Sequence, residues 1–158
     1  MFERVIVPLD GSKVGEAAMP VIGQLVDKMA PGTKMEITLI GVITLLRHWV
    51  VVGEASAPVS YTEEELQIIR DRVLDYLTKT GESLKSKGIT VRTTVSTGNA
   101  AEEILKAAHA NKADLIAMST HGRSGLRRLA FGSITDKVLR GSHIPVLMVR
   151  APEGTVNE

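Results

Sequence analysis

The strongest constraint on the fold is an alternation of five short apolar runs with four longer segments whose apolar residues recur at helical spacing. The runs are predicted strands at residues 5–9, 36–43, 89–95, 115–118 and 146–149. The amphipathic segments between them, which begin near Ser12, Thr62, Asn99 and Ser133, are predicted helices. Such an alternation favours a parallel sheet covered by helices on both faces. We therefore expect one α/β domain at residues 1–150 and a frayed tail at 151–158.

Local signals refine this prediction. Pro20 lies inside the first helical pattern, where it should remove a backbone hydrogen bond and bend the helix. The third strand alternates apolar and polar residues, which indicates a half-exposed edge strand. Residues 44–61 show no clear periodicity, and we interpret them as a long, mobile connection. N-terminal caps are predicted at three helices, by Thr62 with Glu65, Asn99 with Glu102 and Ser133 with Asp136.

Composition excludes several classes of function. A net charge of +1 gives no basic surface for nucleic acid, and an aromatic fraction of 3% is too small for a base-stacking platform. The lack of cysteine excludes disulfides and thiolate chemistry. The apolar runs are too short to cross a bilayer, and the first residues show no signal-peptide pattern. We therefore expect a soluble, cytoplasmic protein with neither nucleic acid nor membrane as a partner.

The segment from Ser119 to Ser133, S-T-H-G-R-S-G-L-R-R-L-A-F-G-S, carries the clearest signal for binding. It follows a predicted buried strand and leads into a helix opened by Gly132 and Ser133. Glycine lets the backbone approach an anion, and a helix N-terminus offers unpaired N–H groups and partial positive charge. Arg123, Arg127 and Arg128 could pair with phosphate oxygens or form a solvated face. Taken alone, the segment leaves both an anion loop and a simple turn open.

A second punctuated segment, Asp10-Gly11-Ser12, follows the first predicted strand. Ligands of open α/β sheets bind outside the carboxyl ends of the strands, where the strand order reverses. If the crevice lies between the first and fourth strands, the order of the five strands is 3-2-1-4-5. Asp10 could then be a ligand contact or only a local cap of the turn.

With V-P-L-D-G-S at residues 7–12 and I-P-V-L-M-V at residues 144–149, the loop resembles the nucleotide-binding branch of the universal stress protein family. That branch carries the pattern G-x2-G-x9-G-[ST]. Gly122, nine further residues and then Gly132-Ser133 match its second half, whereas Ser119 stands where the first glycine is expected. The serine could crowd the phosphate path or supply a further hydrogen bond. The resemblance covers nearly the whole chain and implies a Rossmann-like, adenine nucleotide α-hydrolase-like fold.

The resemblance also implies a site for ATP or another adenine nucleotide. Asp10 would bind the nucleotide directly or through Mg²⁺, because a carboxylate beside polyphosphate needs a cation or a hydroxyl partner. It implies a homodimer through the C-terminal strand as well. The residues that it places at the nucleotide are Pro8, Leu9, Asp10, Val42, Met118, Ser119, His121, Gly122, Arg123, Gly125, Gly132, Ser133, Ile134 and Thr135.

The sequence indicates binding more strongly than catalysis. His121 has the chemistry of a general base, but neither a nucleophile nor an orienting group accompanies it, so we predict no catalytic residue. His48, His109 and His143 lack metal-ligand spacing. The resemblance implies a stress-response regulatory module that binds ATP or a related adenine nucleotide and signals through its bound state. The alternatives are a slow Mg²⁺-dependent ATPase or phosphotransferase, and a dimeric interaction protein that binds no nucleotide.

Overall fold

The computed structural model describes residues 2–30, 32–45, 48–52, 55–120, 132–152 and 154–155, with the backbone alone at 48–52 and 55–59. Its main sheet has five strands, and the helices between them follow the predicted alternation. The strands are β1 (Arg4–Pro8), β2 (Glu36–Ile43), β3 (His48–Val52), β4 (Ala55–Val59), β5 (Thr90–Thr97), β6 (Leu115–Thr120) and β7 (Val146–Arg150). The helices are α1 (Ala18–Asp27), α2 (Glu63–Lys85), α3 (Ala100–Ala110) and α4 (Ser133–Gly141).

The main sheet is wholly parallel, with the order β5-β2-β1-β6-β7. Numbered among the five predicted strands, this is 3-2-1-4-5, so the predicted fold class and strand order are confirmed. β5 lies at one edge, as its alternating pattern predicted, and β7 lies at the other. After β5, the chain passes β2 and β1 to add β6 on the other side of β1. The direction in which strands are added to the sheet therefore reverses between β1 and β6.

Helices cover both faces because successive residues of each strand point to opposite sides. On one face, Val5, Val7, Ile37 and Leu39 pack with α1 and α2. On the other face, Ile6, Ile40, Ile116 and Met118 pack with α3 and α4. Strands buried on both faces explain why β1, β2 and β6 are almost continuously apolar. Among the described helices, none is long and apolar enough to span a membrane.

The first helix differs from its prediction. A 3₁₀ turn, Gly15–Ala17, precedes α1, which begins only at Ala18. Pro20 therefore lies in the first turn of the α-helix, where a missing N–H costs little. The predicted bend inside a longer α-helix is wrong, because the change from 3₁₀ to α geometry occurs before the proline.

The interpretation of residues 44–61 as a connection without regular structure is also wrong. β3 and β4 form an antiparallel pair in which His48 lies opposite Val59 and Val52 opposite Ala55. The β-branched run at residues 50–52 favours such a strand, and its lack of alternation concealed it from a search for periodicity. The long connection between β2 and α2 thus contains a hairpin separate from the main sheet.

Two of the three predicted caps are confirmed. Thr62 and Glu65 form the reciprocal capping box of α2, and the Asn99 side chain accepts a hydrogen bond from the Glu102 N–H at α3. The third cap, Ser133 with Asp136, is wrong. Gly132 is the N-cap of α4, because its carbonyl accepts the Asp136 N–H at 2.9 Å. The Asp136 carboxylate instead accepts a hydrogen bond from Arg140, one turn further along.

Candidate functional site

The sheet opens at the carboxyl ends of β1 and β6. The two strands pair only at Val5–Leu115 and Ile6–Ile116, although β1 continues to Pro8 and β6 to Thr120. β1 and β2, by contrast, stay paired over five positions. The chain leaves β1 through α1 toward β2 and leaves β6 through α4 toward β7, in opposite directions along the sheet. This crevice is the place where an open parallel sheet binds ligands.

Asp10 stands at the β1 side of the crevice and is held by the turn that follows it. Its Oδ1 accepts the Ser12 N–H at 2.9 Å and the Ser12 hydroxyl at 2.6 Å. Gly11 between them has φ of +82°, a conformation that favours glycine. The local cap that the sequence left open is therefore present. The other carboxylate oxygen, Oδ2, has no hydrogen bond to a described residue, and the Asp10 side chain is exposed.

Ser119 lies on the β6 side of the crevice, and its hydroxyl forms two hydrogen bonds with the segment that leads into α1. Its Oγ donates to the Gly15 carbonyl at 2.8 Å and accepts the Ala18 N–H at 2.9 Å. Ala17, the N-cap of α1, provides no side-chain hydrogen bond. Ser119 thus gives the first N–H of α1 an acceptor besides the Glu16 carbonyl, although that helix begins 101 residues earlier in the chain.

The start of α4 is open to a ligand. Because α4 connects β6 to the parallel strand β7, its N-terminus lies at the carboxyl edge of the sheet. Gly132 and Ser133 are exposed, and α4 has no side-chain cap among the described residues. Ile134 is 45% exposed, whereas Thr135 is buried at 5%. The first N–H groups of α4 can therefore receive an anion.

Four further predicted contacts lie in or directly after β1, β2 and β6. Leu9 and Met118 are buried, one in the core on each face of the sheet. Any contact that they make with a ligand must come from the backbone. Pro8 ends β1 in a half-buried position, and Val42 is a half-buried residue of the neighbouring strand β2. The predicted residues His121, Gly122, Arg123 and Gly125, with Arg127 and Arg128, lie outside the described residues.

The predicted site residues do not include Ser12 and Gly15, although Ser12 belongs to the turn that the sequence placed at the crevice. The Gly15 N–H donates to Ser12 Oγ at 2.9 Å. A Cβ at Gly15 would overlap Asp10 Oδ1 and come within 3.2 Å of Ser12 Oγ. The Asp-Gly-Ser sequence is a known signal for a turn closed by the aspartate side chain, and it could have identified Ser12. No local signal identifies Gly15, because its role depends on the position of Asp10.

A hydrogen bond joins the 3₁₀ turn at Gly15–Ala17 to α2. The Tyr76 hydroxyl donates to Glu16 Oε1 at 3.0 Å. Burial raises the pKa of Tyr76 well above its ordinary value, and the hydrogen bond and negative charge of Glu16 raise it further. The charge of Asp10 adds a smaller effect in the same direction, while a hydrogen bond with Thr80 lowers the pKa. Among the described residues, no cluster of three His, Asp or Glu side chains could hold a metal ion.

Comparison with known proteins agrees with this architecture. A model of the family described as the universal stress protein family matches residues 1–150. Universal stress protein MJ0531 of Methanocaldococcus jannaschii is 29% identical over 154 residues, which are 97% of this chain and 85% of that protein.

Solved structures show the same fold. The structure of MJ0577, from the same organism, has a TM-score of 0.72 at 22% identity, with 98% of this chain and 99% of that chain covered. A universal stress protein family protein from Arabidopsis thaliana with AMP bound has a TM-score of 0.60 at 13% identity, with 99% of each chain covered. A universal stress protein in complex with cAMP has a TM-score of 0.62 at 19% identity, with coverages of 96% and 98%.

Proposed function

This chain belongs to the universal stress protein family, and we propose that it is a binding module for ATP or a related adenine nucleotide, which occupies the crevice between β1 and β6. The observation that carries the proposal is the early end of the β1–β6 ladder after Ile6 and Ile116. It opens the sheet between the Asp10 turn and the strand that leads toward α4. The bound AMP and cAMP of two proteins with this fold support an adenine nucleotide as the ligand.

The residues at the crevice fit the two ends of such a ligand. Asp10 Oδ2, which has no hydrogen bond to a described residue, can accept one from a ribose hydroxyl. The N–H groups at the start of α4, beside the exposed Ser133 hydroxyl, can receive phosphate oxygens. No atom of a described residue lies within 4 Å of the point where a side chain would begin at Gly132, so phosphate can approach its backbone there. The backbones of Pro8 and Val42 would then border the base.

The proposal is tested by direct titration. Isothermal titration calorimetry with AMP, ATP and ATP–Mg²⁺ should give saturable binding to the wild-type protein. Asp10→Asn should weaken it, because the amide retains only one oxygen, whereas Asp75→Asn on the exposed face of α2 should leave it unchanged. Equal affinities of wild-type and Asp10→Asn proteins would contradict the assignment of Asp10. A lack of binding to all three nucleotides would favour an interaction protein that binds none.

The same titration addresses magnesium. If Asp10 acts through Mg²⁺, the cation should strengthen binding of ATP to the wild-type protein and have little effect with Asp10→Asn. If Asp10 binds the ribose directly, the substitution should weaken binding of ATP and AMP alike, with or without Mg²⁺.

We also propose that the protein forms a homodimer through β7. This edge strand is apolar and half-buried from Val146 to Val149, and no described strand pairs with its outer edge. Light scattering after size exclusion should give a dimer mass for the wild-type protein. Met148→Glu should give the monomer mass with an unchanged circular dichroism spectrum. A monomeric wild-type protein would contradict the proposal.

A further inference from the structure

A series of hydrogen bonds, joined through the backbone of Gly15, connects β6 with the turn that follows β1. Ser119 Oγ donates to the Gly15 carbonyl, the Gly15 N–H donates to Ser12 Oγ, and the Ser12 hydroxyl donates to Asp10 Oδ1. The three donor–acceptor distances are 2.8, 2.9 and 2.6 Å. β1 and β6 are no longer paired at this level, so side chains and a turn replace the ladder.

We infer that Ser119 is a positioning residue, which holds the Asp10 carboxylate in its binding orientation through Gly15 and Ser12. The inference rests on the proposed nucleotide site. Ser119 occupies the position where the sequence pattern of the nucleotide-binding branch has glycine, and it explains how this chain can depart from that pattern. A glycine there would leave the Gly15 carbonyl and the Ala18 N–H without their partner from β6.

The geometry argues against the alternative that the serine crowds the phosphate path. Its hydroxyl both donates to and accepts from the segment of residues 15–18, on the α1 side of the sheet. The residues before it support this placement, because Ala117 belongs to the core on the α1 side and Met118 to the core on the other side. The hydroxyl is therefore directed toward the first helix and joins β6 to it.

The linkage also determines which oxygen of Asp10 is available. Oδ1 accepts two hydrogen bonds from Ser12, so Oδ2 is the oxygen left for a ligand. Gly15 packs so closely against Oδ1 that a side chain could not fit there. A shift of Gly15 would therefore move Ser12 and turn the carboxylate, and Ser119 restrains that shift from the opposite strand.

A double-mutant cycle tests the inference. Ser119→Ala should weaken AMP binding about tenfold, the equivalent of about 1.4 kcal/mol, in the otherwise wild-type protein. In the Asp10→Asn background the same substitution should change the affinity less than about twofold, because the group that it positions is already impaired. Ser142→Ala is the matched control: Ser142 is also a partly buried serine with two hydrogen bonds, but both are made to Ile144 before β7.

Two results would overturn the inference. An equal loss of affinity from Ser119→Ala in both backgrounds would show that Ser119 acts independently of Asp10. Tighter binding by Ser119→Gly would show that the serine obstructs the ligand.

Amide hydrogen exchange by NMR separates this inference from the proposed function, because it needs no nucleotide. Ser119→Ala should accelerate exchange of the Ala18 amide, which loses Ser119 Oγ and retains only the Glu16 carbonyl as acceptor, and also of the Gly15 amide, which keeps Ser12 but loses its restraint. Acceleration at Ala18 alone would refute the linkage to Asp10. If both amides respond but AMP and ATP do not bind, the linkage exists and the proposed function is wrong.

Discussion

The Tyr76 hydroxyl donates a hydrogen bond to Glu16 Oε1 at 3.0 Å and so joins the middle of α2 to the 3₁₀ turn beside the crevice. We expect Tyr76→Phe to lower the free energy of unfolding at neutral pH by about 1 kcal/mol, the usual net value of such a bond. Glu16 retains a contact with Lys13 and partial access to solvent, which limits the loss. Urea denaturation measures the effect. An unchanged midpoint would show that water replaces the phenol without cost.

The same residue predicts a dependence on alkaline pH. The pKa of Tyr76 is raised in the folded protein, first by burial and then by Glu16. Above pH of about 10 the unfolded chain loses the phenol proton while the folded protein keeps it, so stability falls as pH rises. The stability difference between wild-type and Tyr76→Phe proteins should therefore shrink above that pH. Glu16→Gln should weaken this trend by removing the negative charge. A constant difference from neutral to alkaline pH would contradict the prediction.

The sequence predicted the parallel sheet because short apolar runs alternate with amphipathic segments, and it predicted the strand order from the positions of the turns. It could not predict the Tyr76–Glu16 contact, since the two residues are 60 positions apart and each lies on its own helical element. Ser119 shows the same limit. Its place in the glycine pattern is visible in the sequence, but the direction of its hydroxyl depends on how α1 packs against β6. The β3–β4 hairpin was missed because a continuous run of valines lacks a period.

Two glycines near α1 should respond in opposite ways to alanine. A Cβ at Gly15 would overlap the Asp10 carboxylate, so Gly15→Ala should lower the free energy of unfolding by about 1–3 kcal/mol and weaken nucleotide binding. Gly23 lies inside α1, and among the described residues its added Cβ would meet only Lys87 Nζ, at an ordinary 3.7 Å. Gly23→Ala should therefore raise the free energy of unfolding by about 0.5–1 kcal/mol, because alanine favours the helix more than glycine does. It should leave nucleotide binding unchanged. Thermal melts and calorimetric titration measure both. Stabilisation by both substitutions would contradict the described packing around Asp10.

The capping box makes Thr62 a test of how α2 begins. Thr62→Ala should lower the free energy of unfolding by about 1 kcal/mol, because it removes the side-chain oxygen that accepts the Glu65 N–H at 3.1 Å. Thr62→Ser retains the hydroxyl and should lose only a few tenths of that amount. Chemical denaturation of both variants gives the comparison. Equal losses would mean that the threonine methyl group, not the hydrogen bond, stabilises this end of the helix.

The contact of α2 with β2 depends on Gly41, which lacks a side chain where the helix comes closest. A Cβ there would overlap Val73 Cγ1 and lie 3.5 Å from Leu77 Cδ1. Gly41→Ala should lower the free energy of unfolding by about 1–3 kcal/mol, the usual cost of overpacking. Val73→Ala removes the obstructing methyl groups, so the double variant should be more stable than the sum of the two single losses predicts. Strict additivity in urea denaturation would show that the helix moves away from the strand without strain, contrary to the close approach described at Gly41.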